Sequence, residues 1–440
     1  MLFIYNLLLH SLLIALSPVL LLLIISSKKY RQNFRERLGL FKRETFAAIS
    51  NIRGKPVLIH AVSVGEVGIA IPLIARLNEL GIPVALSTIT TTGQAYARER
   101  LGDSAAIFYM PFDLPLLQNR MLSLLDPRSV IILETEIWPN LIRSASKLKI
   151  PIALVNGRIS DKSFGRYRRT GFLWRRLLPR LSRILVQTEL YRDRLLQMGA
   201  PAESLAVAGT IKLDIDSREL QGEEKERAAR EFGIDPKRPL FVAGSTHPGE
   251  EGPILDAFIS IRSDFPDLAM VLAPRHVHRG AELAEMASQR GIRFALRSSG
   301  LIPDDGFDLL ILDTIGELVK AYQVGTVAFV GKSLPPAQYG QNPVEPVACA
   351  VPTLFGPNMQ NFRFVADILT RSGAAKCVRD VAELSEKLRK LLASEEKRQR
   401  MAAAAREVLA SNRGATDRIM GVLEAEGFLK VEASRDAKHR

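Results

Sequence analysis

The side chains able to do chemistry sit just after apolar runs. The stretch His60-Ala61-Val62-Ser63-Val64-Gly65-Glu66-Val67 follows the run Val57 to Ile59 and precedes an amphipathic run, Ile69 to Leu80. A buried strand, a tight glycine loop and a helix fit that order. The loop then lies at the carboxyl end of a strand, where open α/β sheets bind ligands. Gly65 lets the backbone approach a substrate closely. Glu66, in the first helical turn, can act as a general base. It can also complete a capping box, Ser63-x-x-Glu66, in which the carboxylate reaches back to an exposed N–H. The segment alone leaves both readings open. The positive end of the helix favours the ionised carboxylate, which predicts a base ready at neutral pH.

Glu134-Thr135-Glu136-Ile137-Trp138-Pro139-Asn140 follows the apolar run Val130 to Leu133. Residues two apart share a face of an extended chain, so Glu134 and Glu136 can bind hydroxyl groups together or share general-base work. One can instead cap the next helix while the other is solvated. Arg158, in Asn156-Gly157-Arg158-Ile159-Ser160, can clamp a carboxylate or phosphate, or pair with a nearby carboxylate. Further on, Gly331-Lys332-Ser333 follows the run Val327 to Val330, and Asn342-Pro343 opens a helix. Asn is a good N-cap and Pro a good first residue, so amides there can cradle an anion. Glu345 faces the same mouth, where it can accept hydrogen bonds from a ribose.

Other candidates carry less. His276-x-His278 has metal-ligand spacing but lacks a third ligand at a suitable distance. Asp214-Ile215-Asp216 imitates the DxD of metal-dependent glycosyltransferases but lies in an apparent linker, as solvated charge. No G-x-x-x-x-G-K-[ST] and no G-x-G-x-x-G after a strand occurs, which argues against a P-loop NTPase and a dinucleotide-binding dehydrogenase of the usual kind.

These residues need a scaffold. Short apolar runs alternate with helical stretches from Pro56 to Thr210, at Val84–Ser87, Ala106–Tyr109, Val130–Leu133, Ile152–Val155, Ile184–Gln187 and Leu205–Ala208. The pattern restarts at Pro239–Ala243, with the polar turn Gly244 to Glu251, and continues at Ala269–Ala273, Leu309–Leu312, Val327–Val330 and Thr353–Phe355. Such alternation predicts parallel sheets with helices on both faces, here as two similar doubly wound domains facing a cleft. A length of 440 residues accommodates them, and 47% hydrophobic with 24% charged residues marks a folded chain.

Lys and Arg number 60 against 47 Asp and Glu, a net charge of +13. That surplus attracts nucleic acid, anionic membrane or phosphorylated substrate. With no nucleic-acid motif and only 7% aromatic residues, membrane and anionic substrate are the expected partners, and no nucleic acid. Cys349 and Cys377 fit no metal or redox spacing, which predicts a reducing compartment. Leu2 to Ile25 is almost wholly apolar, long enough for a bilayer core that needs ~20 residues. It lacks the basic start and small-residue cleavage site of a secretory signal. Lys28, Lys29, Arg31, Arg35, Arg37, Lys42 and Arg43 follow, and the positive-inside rule puts them in the cytoplasm. The expected organisation is a single-pass transmembrane anchor at 1–27, a basic membrane-proximal segment at 28–55 lying on anionic head groups, domains at 56–215 and 216–430, and a basic tail at 431–440.

Taken together, the stretches resemble one family. His60–Val67, Glu134–Asn140, Gln187-Thr188-Glu189, Gly209–Asp214, Ser245-Thr246-His247-x-Gly249-Glu250-Glu251, Pro274-Arg275-His276, Asp313-Thr314-Ile315-Gly316-Glu317-Leu318 and Asn342-Pro343-x-Glu345 occur in the order found in 3-deoxy-D-manno-octulosonic acid (Kdo) transferases of lipopolysaccharide assembly. The resemblance runs from the apolar start to about residue 425. It implies a GT-B fold with two Rossmann-like domains. The amino-terminal one would bind the lipid A precursor, lipid IVA, and the carboxyl-terminal one CMP-Kdo, at the inner membrane with the catalytic body on the cytoplasmic side. It implies an inverting transfer without metal or other cofactor, with Glu66 as general base and Glu134, Glu136 and Arg158 on the acceptor. Donor contacts would come from Lys212, Ser245, Arg275, His276, Ile315, Gly316, Glu317, Gly331, Lys332, Ser333, Asn342 and Glu345. The chain departs from the family pattern at Gly331-Lys332-Ser333-Leu334, where Gly-Gly-Ser-Leu is expected, and at Gly340-Gln341-Asn342, where Gly-His-Asn is expected. Gln341 cannot be a cation, and Lys332 can supply a charge in its place. The rival readings are a membrane-associated GT-B enzyme using a UDP-sugar and a non-catalytic anchored scaffold.

Overall fold

The computed structural model describes residues 5–7, 11, 34–300, 306–337 and 339–430. The chain forms two compact units, residues 1–212 with 414–440, and residues 213–413. In the first, strands β1 (Val57–His60), β2 (Val84–Thr88), β3 (Ala106–Tyr109), β4 (Ser129–Leu133), β5 (Ile152–Gly157), β6 (Arg183–Val186) and β7 (Leu205–Val207) form a sheet of order β3-β2-β1-β4-β5-β6-β7. Every pairing is parallel. Val57, Leu58 and Ile59 are wholly buried, which is why β1 reads as a continuous apolar run rather than an alternating one. Each such side chain contributes about 1.5–3 kcal/mol on burial.

The second unit repeats the plan with β8 (Leu240–Thr246), β9 (Ala269–Pro274), β10 (Phe294–Leu296), β11 (Leu309–Ile311), β12 (Val327–Val330), β13 (Thr353–Phe355) and β14 (Ala375–Cys377). The order is β10-β11-β9-β8-β12-β13-β14, again all parallel. In each sheet the strand order reverses beside the first strand. The switch points are β1/β4 and β8/β12, and ligands bind outside the carboxyl ends of such strands.

Two expected boundaries move. Residues 34–50, expected as part of a separate segment at 28–55, pack into the first unit. Phe41 meets Phe108 edge-on and Phe34 meets Phe112. Buried Glu36 accepts from Thr45 Oγ1 at 3.1 Å and from the Tyr109 amide at 3.3 Å. The last described helix, Ala415–Ala425, was expected in the second domain but belongs to the first unit. There Ile419, Met420, Leu423 and Phe428 share a core with Val67, Ile74 and Leu77. The expected anchor, Leu2 to Ile25, lies outside the described residues except for 5–7 and 11, as does the tail 431–440. Tyr5 donates to Asp113 at 3.0 Å. Among the described residues no helix is long and apolar enough to cross a membrane.

Candidate functional site

β1 ends at His60, and the chain turns through Ala61 to Ser63 into the helix Val64–Glu79. Thr90 shapes that turn. Its Oγ1 donates to the Val62 carbonyl at 3.2 Å and accepts the Gly93 amide at 3.0 Å. Gly93 lies against the turn, where a Cβ would come within 3.2 Å of the Ser63 carbonyl carbon. Glu66 is 6% exposed. Its Oε2 accepts the Val62 amide at 2.8 Å and its Oε1 accepts the Ser63 hydroxyl at 3.0 Å. This is half of the expected capping box: the carboxylate reaches back, but to Val62, and Ser63 donates to it rather than capping the helix.

Burial, then the negative charge of Glu134, push the Glu66 carboxyl up to about 8, and Glu136 adds to the rise. The Val62 and Ser63 donors oppose it without cancelling it. The expectation of a carboxylate ionised at neutral pH is thereby corrected: desolvation and like charge raise it. His60 is no rival base, since complete burial lowers it to about 3 and keeps it neutral.

Glu134 stands at the end of β4 with φ +56°. Left-handed backbone costs a non-glycine residue about 1–2 kcal/mol, and such strain collects at functional sites. Its carboxylate is held at both oxygens, by Arg158 Nε at 2.7 Å and Lys212 Nζ at 3.1 Å. Arg158 thus makes the ion pair open to it from the sequence. Lys212, expected at the donor, lies beside Glu134 in the first unit. Glu136 is half-buried and its carboxyl is raised, chiefly by desolvation; Trp138 Nε1 donates to it at 3.5 Å. The first unit therefore offers a buried, protonatable Glu66 and two further carboxylates, with cations on one of them. That arrangement can take a proton from a hydroxyl and hold a polyhydroxylated, anionic molecule.

In the second unit the turn after β8 lies against the loop after β12. Glu250, buried, joins them: its Oε1 accepts the amides of His247, at 2.9 Å, and Lys332. Gly331 is required at the contact, because a Cβ would come within 2.6 Å of Thr246 Cα and 2.7 Å of Glu250 Oε1. Ser245 and Lys332 both have left-handed backbone, φ +56° and +57°. Lys332 thus holds a conformation that glycine adopts without strain. Burial lowers His247 to about 4, with the charges of Lys332, His276 and Arg275 adding to the effect. His247 and His276 meet edge-on at 5.6 Å, and His276 stacks on His278 at 5.7 Å. The exposed Arg275 beside these rings, with Lys332, supplies positive charge suited to an anion. Among the described residues no group of three or more His, Cys, Asp and Glu is placed to hold a metal.

Ser333 is buried, its hydroxyl donating to the Val330 carbonyl at 2.5 Å and accepting the Gly356 amide at 2.7 Å. It shapes the loop from within. Asn342 does not cap in the expected way. Its Oδ1 accepts the Val344 amide at 3.1 Å, the helix begins at Val344, and Nδ2 donates to Glu345 at 3.2 Å. One amide of the expected anion cradle is therefore already satisfied. Ile315 is 85% exposed and Gly316 has φ +91°. The Glu317 carboxylate is held by Arg297. Glu250 had no role in the sequence reading; a glutamate opening a helix gives no sign that it will be buried. Asp216 pairs with Arg413 at 3.1 Å on the surface, as solvated charge.

Paired doubly wound parallel units of this kind define a GT-B-like glycosyltransferase fold. The crystal structure of Acinetobacter baumannii MurG matches it with a TM-score of 0.52 and 14% identity, over 84% of this chain and 99% of that one. Residues 32–215 match the family model described as 3-deoxy-D-manno-octulosonic-acid transferase (kdotransferase). The 3-deoxy-D-manno-octulosonic acid transferase of Haemophilus influenzae is 32% identical over 421 residues, 94% of this chain and 97% of that protein. That of Bordetella pertussis is 35% identical over 380 residues, covering 84% and 87%. The chain belongs to the 3-deoxy-D-manno-octulosonic acid transferase family.

Proposed function

We propose that this protein transfers Kdo from CMP-Kdo to the lipid A precursor, lipid IVA, in lipopolysaccharide biosynthesis, with inversion at the anomeric carbon. Glu66 takes the proton of an acceptor hydroxyl. The hydroxyl oxygen bonds to C2 of Kdo, the bond from C2 to the phosphate oxygen breaks, and CMP leaves with that electron pair. One displacement inverts the centre, so one base suffices. The observation that carries the reading is the state of Glu66: buried at a strand-end switch point and raised to about 8. A base tuned near the operating pH is the efficient one.

Glu134, Glu136 and Arg158 suit the sugar hydroxyls and phosphates of the acceptor. Arg275, His276 and Lys332 suit the donor's phosphate and carboxylate. Glu345 suits the ribose, and the Ile315-Gly316-Glu317 turn suits the base. The reading calls on these residues alone, with no metal or other cofactor. Leu2 to Ile25 serves as an uncleaved single-pass anchor in the inner membrane, with the body on the cytoplasmic side; its length and the basic residues after it support this. A mature amino terminus near Ser26 in cells would overturn the anchor.

The test is to incubate the membrane fraction with CMP-Kdo and tetra-acylated lipid A precursor and to weigh the lipid product. A mass gain of one or more Kdo residues is expected. No gain with CMP-Kdo, but a gain with a UDP-sugar, would replace the donor assignment.

A further inference from the structure

We infer that Arg297 is a positioning residue that fixes the Asp313–Glu317 turn for the nucleotide. The inference rests on the reading that this turn lines the base of CMP. β10 and β11 are neighbours in parallel, so the chain leaving β10 at Arg297 runs beside the chain leaving β11 toward Asp313. Arg297 Nη2 donates to Glu317 Oε1 at 2.7 Å, and Nε reaches both carboxylate oxygens, at 3.1 and 3.2 Å. Nη1 donates to the Glu231 carbonyl at 2.8 Å, and the guanidinium lies over the Phe232 ring, 5.1 Å from its centre. The planar fork is thus held on its edge and on its face. The next residue adds a second tie: the Ser298 amide and hydroxyl donate to Asp313 at 2.8 and 2.6 Å. Thr314 Oγ1 closes the set by donating to Glu317.

The turn needs outside support. Its apex is Ile315, 85% exposed, followed by Gly316 at φ +91°. No apolar packing fixes that apex, and glycine backbone is intrinsically free. A turn that reads a base must be held to within ~0.5 Å. Polar ties at Asp313 and Glu317, one on each side of the apex, do that. Lysine cannot replace the fork, because a point charge on a flexible stem fixes no plane.

The experiment is a titration of the full chain with CMP, paired with donor kinetics. Arg297→Met should weaken CMP binding and raise the donor KM by ~10-fold or more, the scale of a lost bidentate charge-assisted pair. Its kcat at saturating donor should stay within ~2-fold, since uniform binding alone is lost. Arg297→Lys should fall between, and the swap Arg297→Glu with Glu317→Arg should regain affinity over either single change. If Arg297→Met melts early, Ser298→Ala carries the test, with a ~3-fold loss expected for one neutral hydrogen bond. Wild-type CMP affinity in a folded Arg297→Met, or a fall in kcat with KM unchanged, overturns the inference. Gly316→Val serves as the control: full CMP affinity in that variant would overturn the placement of the base on this turn, and with it the reading beneath.

Discussion

Lys212 Nζ lies 3.1 Å from Glu134 Oε1, so the residue at which the chain leaves the first unit for the second is tied to the strand end whose charge bears on Glu66. Arg158 holds the other oxygen at 2.7 Å. Two cations thus hold the Glu134 carboxylate, and its charge makes ionisation of Glu66 harder. Removing its charge should lower the Glu66 pKa. We predict that Glu134→Gln moves the acid limb of the kcat/KM profile to lower pH, measured against pH with the acceptor varied. An unmoved limb would mean that Glu134 does not act on the base.

Glu66→Gln should leave folding and CMP binding intact and lower turnover by at least ~100-fold, the lower range for loss of a general base. Glutamine is nearly isosteric and can still accept the Val62 amide, so a purely structural Glu66 predicts little change in either quantity. Near-normal transfer would shift attention to Glu134 and Glu136.

The pH dependence has a defined sign. Glu66 is raised from 4.5 to about 8, so it is protonated below that range and ionised above it. Activity that needs the ionised base should rise with pH and level off above about 8. Stability should move the other way: a raised carboxyl favours the folded state below 4.5, and that advantage is lost as pH climbs to about 8. Denaturant unfolding of wild type and Glu66→Gln at pH 5 and pH 8.5 should show the wild type losing ground at the higher pH. A constant difference between the two proteins would contradict the shift.

Lys332→Gly should raise stability while weakening the donor. Relief of left-handed backbone, less the added freedom of glycine in the unfolded chain, predicts a gain of about 0.5–1 kcal/mol. Loss of the cation should raise the donor KM. A gain in stability with unchanged KM would reduce Lys332 to a solvated charge. Gly331→Ala should do the reverse for stability. Its Cβ would come within 2.7 Å of the Glu250 carboxylate oxygen, an overpacking that costs about 1–3 kcal/mol, and CMP binding should fall with it.

Glu345→Ala should weaken CMP binding by about 1–3 kcal/mol, the range for losing a partner of a buried polar group. Calorimetric titration with CMP would measure it. Unchanged affinity would place the ribose elsewhere.

The strands were legible because both faces are buried, so Val57 to Ile59 or Ile131 to Leu133 read as unbroken apolar runs. β10 and β14 escaped notice. Each has three residues at a sheet edge and buries only an alanine, and Lys376 and Cys377 of β14 are exposed. The backward reach of the Glu66 carboxylate was legible, as half of a capping box. Its protonation was not, because burial and the neighbouring Glu134 come from tertiary packing. The ion pair of Lys212 with Glu134 was not legible, because its partner lies 78 residues away in sequence. Glu250 and Arg297 were missed for the same reason: each acts by joining loops that follow different strands.

The return of Ala415–Ala425 to the first unit bears on how the protein is made. Helix side chains Ile419, Met420 and Leu423, with Phe428 beyond them, close a core begun at Val57. Domains usually fold in order as they are synthesised, at ~5–20 residues per second. Here the helix that completes the first core is made only after the whole second unit, 201 residues from 213 to 413, or on the order of ten seconds or longer at that pace. Chains stalled on the ribosome before residue 415 should remain protease-sensitive in their first half and gain protection only when the last helix emerges. Early protection would show that the first sheet stands without its closing helix.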